Sequence, residues 1–429
     1  MPMKKKKIIS ILLAFIIAVS VFTNSLILCR ASTRPLHILA LGDSIAQGYG
    51  LKHPKEESYS GILAEMTGST VQNEGINGLK SGELLEKLEA GEYDSAIGAA
   101  DIILLSIGSN DILKPCVASI ARSFGMEGDS SGELYETMTE RFLTQEVEVL
   151  DFLEEIRTAK RNLRENEEIL AACDEFQENF QRILEEIRRI NPYAVLYVDN
   201  IYNPYCFTDY SYGVAEILNL CELTEPYVRK LNESFQSEAK DYHLVNTYLL
   251  FQQDGYTNVV PASLDEIANI NLDPHPNAKG HQAIARLIYE KMDREPPKLS
   301  VETTGENLLI RANEKIRMVK GKNLRIQTEE ESYSYTMSGE EKAVQQEDGT
   351  WGIEFSWKEI IGGEPKYGVT YRVNMEEDAV RDMGNNSASL TEPGSFKKGI
   401  PVRGILISFF VGVGAVFLGI FLRRRRRRK

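Results

Sequence analysis

The sequence predicts an α/β domain built on a parallel sheet, followed by a small all-β domain and a C-terminal transmembrane helix. Three observations support this order. Short apolar runs alternate with helical segments over residues 35–295, and strand-like segments separated by turn residues recur over 298–390. Residues 404–422 carry no charge and are followed at once by seven cations. We therefore expect two globular parts and a membrane-spanning segment.

Four short apolar runs predict the strands of the first domain. Runs of this length, separated by helical segments, are typical of βα units, whose parallel sheets are covered by helices on both faces. The runs are His37–Leu41, Ile102–Ile107, Ala194–Val198 and Leu244–Tyr248.

Helices are predicted on either side of these runs. Tyr59–Thr67 fits a helix after the first strand, and Pro276–Met292 fits a closing helix. Three apolar residues of the closing helix fall three and four apart, which puts them on one face. These residues are Ile284, Leu287 and Ile288.

Residues 116–190 are too long for a tight βα connection and predict a helical insertion. Thr139–Arg164 and Asn166–Ile190 are charged helical segments. The second has an apolar spacing typical of one buried face, at Ile169, Phe176, Phe180 and Leu184. Two interpretations stay open: a solvated helical hairpin that fills a loop, or a cap over a functional site.

A boundary is predicted at Glu295-Pro296-Pro297, after which the pattern changes to strands and turns. This change predicts an all-β sandwich over 298–390, and residues 391–403 fit a linker. The stretch Tyr371–Asn385 resembles the last strands of bacterial Ig-like domains, although its ending at Asn385 is one residue shorter. A β-sandwich spacer of another kind is the alternative. The predicted strands are Leu299–Thr303, Asn307–Arg311, Asn323–Thr328, Tyr333–Met337, Trp351–Phe355 and Tyr367–Asn374.

The two ends of the chain predict the compartment. Residues 1–31, with a basic start and an apolar middle, read as a secretory signal peptide, or as an uncleaved N-terminal anchor. Residues 404–422 are long enough to cross a bilayer, and 423–429 form a basic tail. A buried core helix is the alternative for 404–422, but such a helix rarely ends in seven cations. Because Lys and Arg stay on the cytoplasmic side, we expect residues 35–390 to lie outside the cell membrane.

Charge and cysteine content exclude several classes of function. The net charge is −14 even though both basic ends are included, so the surface of the body repels nucleic acid. An outside location permits disulfides, and four cysteines allow three connectivities, which stay open. No Cys-x-x-Cys pair or His-Glu-x-x-His run is present, so a structural zinc site or a zincin is not expected. No other cofactor is expected either. The four cysteines are Cys116, Cys173, Cys206 and Cys221.

Four short blocks carry the chemistry. Ser44 comes directly after the first predicted strand, at the sheet edge where open α/β sheets bind ligands. A serine hydroxyl needs a base, and His275, flanked by two prolines, is the candidate. Acyl transfer also needs donors for an oxyanion. The backbone N–H groups of Ser44 and Gly78 and the side-chain amide of Asn110 are the candidates.

These blocks resemble those of the SGNH hydrolases, also called the GDSL esterase and lipase family. Ser44, Gly78, Asn110 and His275 match the family's four blocks in order, over about residues 35–295 without the insertion. The resemblance implies a flavodoxin-like three-layer α/β/α fold, no metal, and hydrolysis of esters through an acyl-serine. It also implies an aspartate that orients the histidine.

That aspartate departs from the family pattern. The family places it three residues before the histidine, where this chain has Leu272; Asp273 is only two residues before. Asp273 is the first candidate to orient His275, and Asp254 and Asp265 are weaker ones. A backbone carbonyl is a further alternative, which would leave a Ser–His dyad.

The sequence thus predicts a membrane-anchored extracellular serine esterase, acting on lipids or on acylated carbohydrates such as acetylated wall sugars. Two alternatives remain. One is a non-catalytic surface module that binds a glycan or a lipid. The other is a sortase-anchored adhesin, although no Leu-Pro-x-Thr-Gly motif precedes the apolar run.

Overall fold

A computed structural model describes residues 29–31, 34–128, 134, 149–206, 220–236, 241–253, 274–304, 306–390 and 394–397. The chain divides into two compact units. One unit is Pro35–Asp293, and the other combines Met1–Arg34 with Arg294–Lys429. The first described strand, β1 (Cys29–Ala31), belongs to the second of these units.

The unit Pro35–Asp293 is built on a parallel sheet, as the sequence predicts. Its strands lie in the order β3-β2-β4-β5-β6, and every pair of neighbours is parallel. Two interior strands of the sheet, β2 and β4, are buried along almost their whole length. The strands are β2 (His37–Gly42), β3 (Thr70–Gly75), β4 (Ile102–Ser106), β5 (Val195–Asp199) and β6 (His243–Val245).

Helices cover both faces of this sheet. The helices of the unit are α1 (Ser44–Gln47), α2 (Pro54–Glu57), α3 (Tyr59–Thr67), α4 (Ser81–Glu89), α5 (Asp94–Ala99), α6 (Ser109–Ser123), α7 (Val149–Leu163), α8 (Glu167–Ile190), α9 (Leu220–Asn232), α10 (Thr247–Gln253) and α11 (Ala278–Lys291).

Alternate side chains of β2 enter two different cores. Ile38 and Ala40 pack with apolar residues of α3 and α11. Leu39 and Leu41 belong to a second cluster, with residues of α4, α6, α8 and α9. Because successive strand residues point to opposite faces, this division places one helical layer on each side of the sheet. The predicted three-layer α/β/α arrangement is therefore present.

Helix α8 corrects the prediction that 116–190 is wholly an insertion. Its apolar face is fully buried at Phe176, Phe180 and Ile183, in the same cluster as Leu39 and Leu105 of the sheet. An apolar stripe of this width suits a helix that covers a sheet. The second half of 116–190 is thus one of the sheet's own helices, neither a solvated hairpin nor a cap.

Other boundaries differ from the prediction in small ways. The edge strand β3 was not predicted, because its sequence is polar and none of its residues is fully buried. The run Leu244–Tyr248 is a strand only to Val245, and Tyr248 lies in α10.

A disulfide joins Cys206 and Cys221, while Cys116 and Cys173 are free and buried.

The second unit contains the predicted all-β sandwich. Its strands form antiparallel four-stranded sheets around one apolar core, with a short helix α12 (Trp357–Ile361). The Ig-like resemblance stays a prediction. The strands after β6 are β7 (Leu299–Thr304), β8 (Asn307–Ala312), β9 (Ile316–Met318), β10 (Asn323–Gln327), β11 (Ser332–Thr336), β12 (Val344–Gln345), β13 (Trp351–Ser356), β14 (Thr370–Met375), β15 (Val380–Asp382), β16 (Ser387–Leu390) and β17 (Gly394–Lys397).

Two short strands extend this unit beyond its predicted limits. β17 pairs with β14 inside the segment 391–403, which was predicted to be a linker, so part of that segment belongs to the sandwich. β1 pairs with β16, with Cys29 opposite Leu390. Residues 1–28, 404–422 and 423–429 lie outside the described part of the chain. Among the helices that are described, none has the length and apolar character needed to span a membrane.

Candidate active site

Ser44 stands at the carboxyl edge of the sheet. Strand β2 ends at Gly42, and Ser44 opens α1 two residues later, after Asp43. Gly42 has φ of +133°, and a Cβ there would lie 1.8 Å from the carbonyl oxygen of Ser106. The backbone N–H of Asp43 donates to that same carbonyl at 2.9 Å. Only glycine permits this approach of two strands, so the turn that presents Ser44 depends on Gly42.

Asp43 caps the helix that Ser44 begins. Its Oδ1 accepts a hydrogen bond from the backbone N–H of Ile45 at 2.9 Å, the usual role of aspartate at this position. The side chain is fully buried, and burial raises the pKa of this carboxyl well above its usual value. The nearby carboxylates Asp199 and Asp111 raise it further.

The backbone N–H of Ser44 itself has no acceptor among the described residues. It lies at the start of α1, where the first N–H groups of a helix have no partner within the helix. This N–H group is therefore free to donate to a ligand beside the hydroxyl.

The structure brings His275 to the hydroxyl of Ser44. The His275 Nε2 lies 2.8 Å from Ser44 Oγ, within hydrogen-bonding distance. On the C-terminal side, Asn277 caps α11 by accepting a hydrogen bond from the N–H of Gly280 at 3.0 Å. On the N-terminal side, the hydroxyl of Tyr202 donates to the carbonyl of Pro274 at 2.6 Å. The loop that carries His275 is thus held on both sides.

Asn110 is hydrogen-bonded to the residue that directly follows Gly78. The side-chain amide of Asn110 donates to the backbone carbonyl of Leu79 at 3.1 Å. Gly78 has φ of +76°, a backbone conformation that favours glycine. Within the described part of the chain, its backbone N–H has no acceptor. The two predicted oxyanion donors other than Ser44 therefore lie on neighbouring segments.

A buried carboxylate holds these two segments together. Asp111 follows Asn110 and accepts hydrogen bonds from the backbone N–H of Ser81, at 3.1 Å, and from its hydroxyl, at 2.6 Å. Burial raises the pKa of Asp111 to about 6. The contact joins the start of α6 to the start of α4, and it was not predicted from the sequence.

Asp199 is a second carboxylate that the sequence prediction missed. It ends β5, is buried, and accepts a hydrogen bond from the hydroxyl of Ser106 at 2.8 Å. Burial raises its pKa to about 7. Its position at the carboxyl end of a buried strand was the available signal, because that edge holds the site in α/β sheets.

His281 is buried on α11. Its Nδ1 accepts a hydrogen bond from the backbone N–H of Tyr59 at 3.2 Å, and the two rings stack. Burial lowers its pKa to about 4. The ring is therefore neutral near pH 7, with its proton on Nε2.

Asp273 lies outside the described residues, as do Asp254 and Asp265. The group that orients His275 therefore stays a prediction. Within the described part of Pro35–Asp293, no three His, Cys, Asp or Glu side chains come close enough to share a metal ion. The absence of a cofactor also stays a prediction.

Several known proteins are similar to this chain. An uncharacterized Bacillus subtilis protein, YpmR, is 26% identical over 270 residues, which are 60% of this chain and 82% of that protein. An extracellular lipase from Streptomyces rimosus matches 59% of this chain and 99% of its own, at 15% identity and a TM-score of 0.39. Phospholipase A1 from Streptomyces albidoflavus matches 60% and 100%, at 17% identity and a TM-score of 0.38. These scores are too low to carry an argument about function.

The family model gives the stronger result. The model of the GDSL-like lipase/acylhydrolase family matches residues 40–283, more than half of the chain. The matched residues include Ser44, Gly78, Asn110 and His275. The chain belongs to the GDSL-like lipase/acylhydrolase family.

Proposed function

We propose that this protein hydrolyses carboxylic esters through an acyl-serine intermediate. The single observation that carries the proposal is the 2.8 Å contact between His275 Nε2 and Ser44 Oγ. A histidine at this distance is placed to remove the hydroxyl proton, which a serine needs to act as a nucleophile. Membership of a lipase/acylhydrolase family supports the same chemistry.

The reaction proceeds in two halves. His275 takes the proton of Ser44, whose Oγ attacks the ester carbonyl carbon and forms a tetrahedral intermediate. His275 then gives this proton to the alkoxide oxygen as the C–O bond breaks and the alcohol leaves. A water molecule, deprotonated by His275, attacks the acyl-serine, and the returning proton restores the Ser44 hydroxyl.

The negative charge of both intermediates needs hydrogen-bond donors. The N–H groups of Ser44 and Gly78 suit this role, since neither has an acceptor among the described residues. Asn110 Nδ2 has two hydrogens, and its bond to Leu79 occupies one. Asp273 is the proposed orienting group for His275.

The proposed location is the outer face of a cell membrane, with 404–422 as the single span and 423–429 inside. The acidic body and the cationic tail support it. From that location the enzyme reaches lysophospholipids, short acyl esters and acetylated wall sugars. An ester of a lipid or of an acylated carbohydrate is therefore the proposed substrate.

Hydrolysis of p-nitrophenyl esters from acetate to palmitate by the full-length protein tests this proposal. We expect turnover that is lost in both Ser44→Ala and His275→Ala, with a chain-length profile that separates an acetylesterase from a lipase. Circular dichroism of each variant controls for folding. Full activity of His275→Ala at neutral pH would contradict the mechanism.

The alternative is a surface module that binds a glycan or a lipid without catalysis. A fluorophosphonate probe distinguishes the two, because it reacts only with an activated serine. Labelling that disappears in Ser44→Ala supports the hydrolase. A folded wild-type protein that neither labels nor turns over any ester favours the binding module.

A further inference from the structure

We propose that Tyr49 and Tyr202 are positioning residues for His275. This inference rests on the proposed function, because it assigns these tyrosines a part in the same proton transfer. Tyr49 contacts the ring of His275, and Tyr202 holds the backbone directly before it.

The ring of Tyr49 lies against the imidazole. Their centroids are 4.7 Å apart and their planes are inclined by 43°. Tyr49 is 45% exposed, so this residue is not part of the hydrophobic core. A large aromatic side chain that stays exposed while covering a catalytic histidine limits how far that histidine can rotate.

The backbone of Tyr49 is fixed to the nucleophile. Gly48 ends α1 with φ of +79°, and the next N–H, that of Tyr49, donates to the carbonyl of Ser44 at 3.0 Å. This is the usual C-terminal cap of a helix that ends at a left-handed glycine. The residue that presents the hydroxyl and the residue that covers the imidazole thus belong to one turn.

The ring contact has a chemical consequence besides its geometry. His275 becomes an imidazolium when it takes the proton of Ser44. A cation within about 6 Å of an aromatic centroid is attracted by the electrons of the ring face. Tyr49 therefore stabilises the charged form of His275, which is the form that exists in the tetrahedral intermediate.

Tyr202 acts on the backbone before His275 and not on its ring. Its hydroxyl donates to the carbonyl of Pro274 at 2.6 Å, and its buried ring packs against Phe251 of α10, with 4.6 Å between centroids. Since the ring is held by the core, the hydroxyl is a fixed point for the loop. Tyr202 thus fixes the backbone directly before His275, and Tyr49 limits the rotation of its ring.

Other titratable groups also act on His275. Among the described residues they include Ser44, through the hydrogen bond, and His281 of α11, whose interaction with His275 is electrostatic. Burial keeps His281 neutral above about pH 4, so its charge does not compete with Tyr49 near neutral pH. The predicted Asp273 would add a charge that every variant below retains.

The first readout is the ring signal of His275 in full-length protein carrying ¹³C-labelled histidine, assigned by its loss in His275→Gln. In Tyr49→Leu we expect this signal to move and broaden, because the imidazole loses its aromatic neighbour and gains rotational freedom. Tyr49→Phe keeps the ring and should leave the signal unchanged. This readout does not depend on esterase activity, so it remains valid if the proposed function fails.

Turnover and fluorophosphonate labelling provide the second readout. Tyr49→Leu should lower kcat and the labelling rate about tenfold, with little change in KM, and Tyr49→Phe should restore both. Tyr202→Phe, which removes only the hydroxyl, should also lower kcat with little change in KM.

Tyr193→Leu is the matched control. Tyr193 is also 45% exposed, but it precedes β5 and so lies at the amino edge of the sheet, away from Ser44. It should change neither readout. A Tyr49→Leu protein with the wild-type His275 signal would overturn the positioning role of Tyr49, and wild-type kcat in both Tyr49→Leu and Tyr202→Phe would overturn it for both tyrosines.

Discussion

The side-chain amide of Asn110 donates a hydrogen bond to the carbonyl of Leu79, the residue that follows Gly78. This bond places the proposed amide donor next to the proposed backbone donor. Because both segments are fixed before substrate arrives, the oxyanion would meet donors that need no rearrangement.

Replacing Asn110 with Ala should therefore reduce catalysis more than stability. Loss of one oxyanion donor lowers kcat by about 100-fold or more, with a small effect on KM. Asn191→Ala is the matched control, since the buried Asn191 amide also donates to backbone carbonyls, those of Ile97 and Ala100. We expect the control to lower the melting temperature and leave kcat unchanged. Equal kcat values for the two variants would exclude Asn110 from the oxyanion site.

Gly42→Ala should severely destabilise the unit Pro35–Asp293. The added Cβ would lie 1.8 Å from the backbone oxygen of Ser106, and no side-chain rotation can relieve a clash between backbone atoms. We expect the free energy of unfolding in urea to fall by about 3 kcal/mol or more. Gly50→Ala, with φ of +83° but open space around its Cβ, isolates the conformational cost, about 1 kcal/mol. Similar losses in both variants would show that β2 and β4 separate easily.

Asp199 should make the protein less stable as pH rises. Its folded pKa of about 7 lies above the usual 3.8, so the folded state holds a proton that the unfolded state releases between these values. Stability from this group is complete below about pH 4 and is lost as pH approaches 7. Relative to Asp199→Asn, the wild type should lose roughly 2 to 4 kcal/mol over this range. Urea unfolding of both proteins between pH 4 and pH 7 measures this difference, and a difference that stays constant over this range would contradict the assignment.

His281 should act in the opposite direction. Its folded pKa of about 4 lies below the usual 6.5, so the unfolded state binds a proton that the buried ring refuses. The stability it contributes is present above about pH 6.5 and is lost as pH falls towards 4, by up to about 3 kcal/mol. His281→Asn, which keeps an acceptor for the N–H of Tyr59, should remove this dependence. The exposed His53→Asn should preserve it, and an unchanged pH profile in His281→Asn would contradict the assignment.

The disulfide between Cys206 and Cys221 should stabilise the folded protein. It closes a loop with a sequence separation of 15, for which chain entropy gives about 3 kcal/mol. The double variant Cys206→Ala, Cys221→Ala should lose this amount in urea unfolding. A reductant should destabilise the wild type alone. A reductant effect of equal size in the double variant would point to another bond.

The sequence predicted the buried elements better than the polar ones. β2 and β4 appear where apolar runs lie, and α3 occupies the predicted Tyr59–Thr67. β3 was not predicted because an edge strand needs no apolar run. α8 was located but misplaced in the fold, since one apolar stripe serves equally for a hairpin, a cap or a sheet layer. Only tertiary contacts distinguish these uses.

The candidate site shows the same limit. Ser44 and His275 were found because short motifs surround them, and the structure brings them together. Tyr49 and Asp199 were missed because neither lies in such a motif. Their roles come from contacts with residues far away in the chain, and spacing along the sequence does not reveal such contacts.

The pairing of β1 with β16 has a consequence for biosynthesis. Residues Pro35–Asp293 lie between these two strands in the chain. β1 therefore leaves the ribosome long before its partner β16. Until β16 has been synthesised, the backbone N–H and C=O groups of β1 lack their strand partner and can pair with a wrong strand. Signal cleavage after Ala31 would remove β1 altogether and leave β16 with an open edge. A protein cleaved there would therefore lack the pairing between β1 and β16.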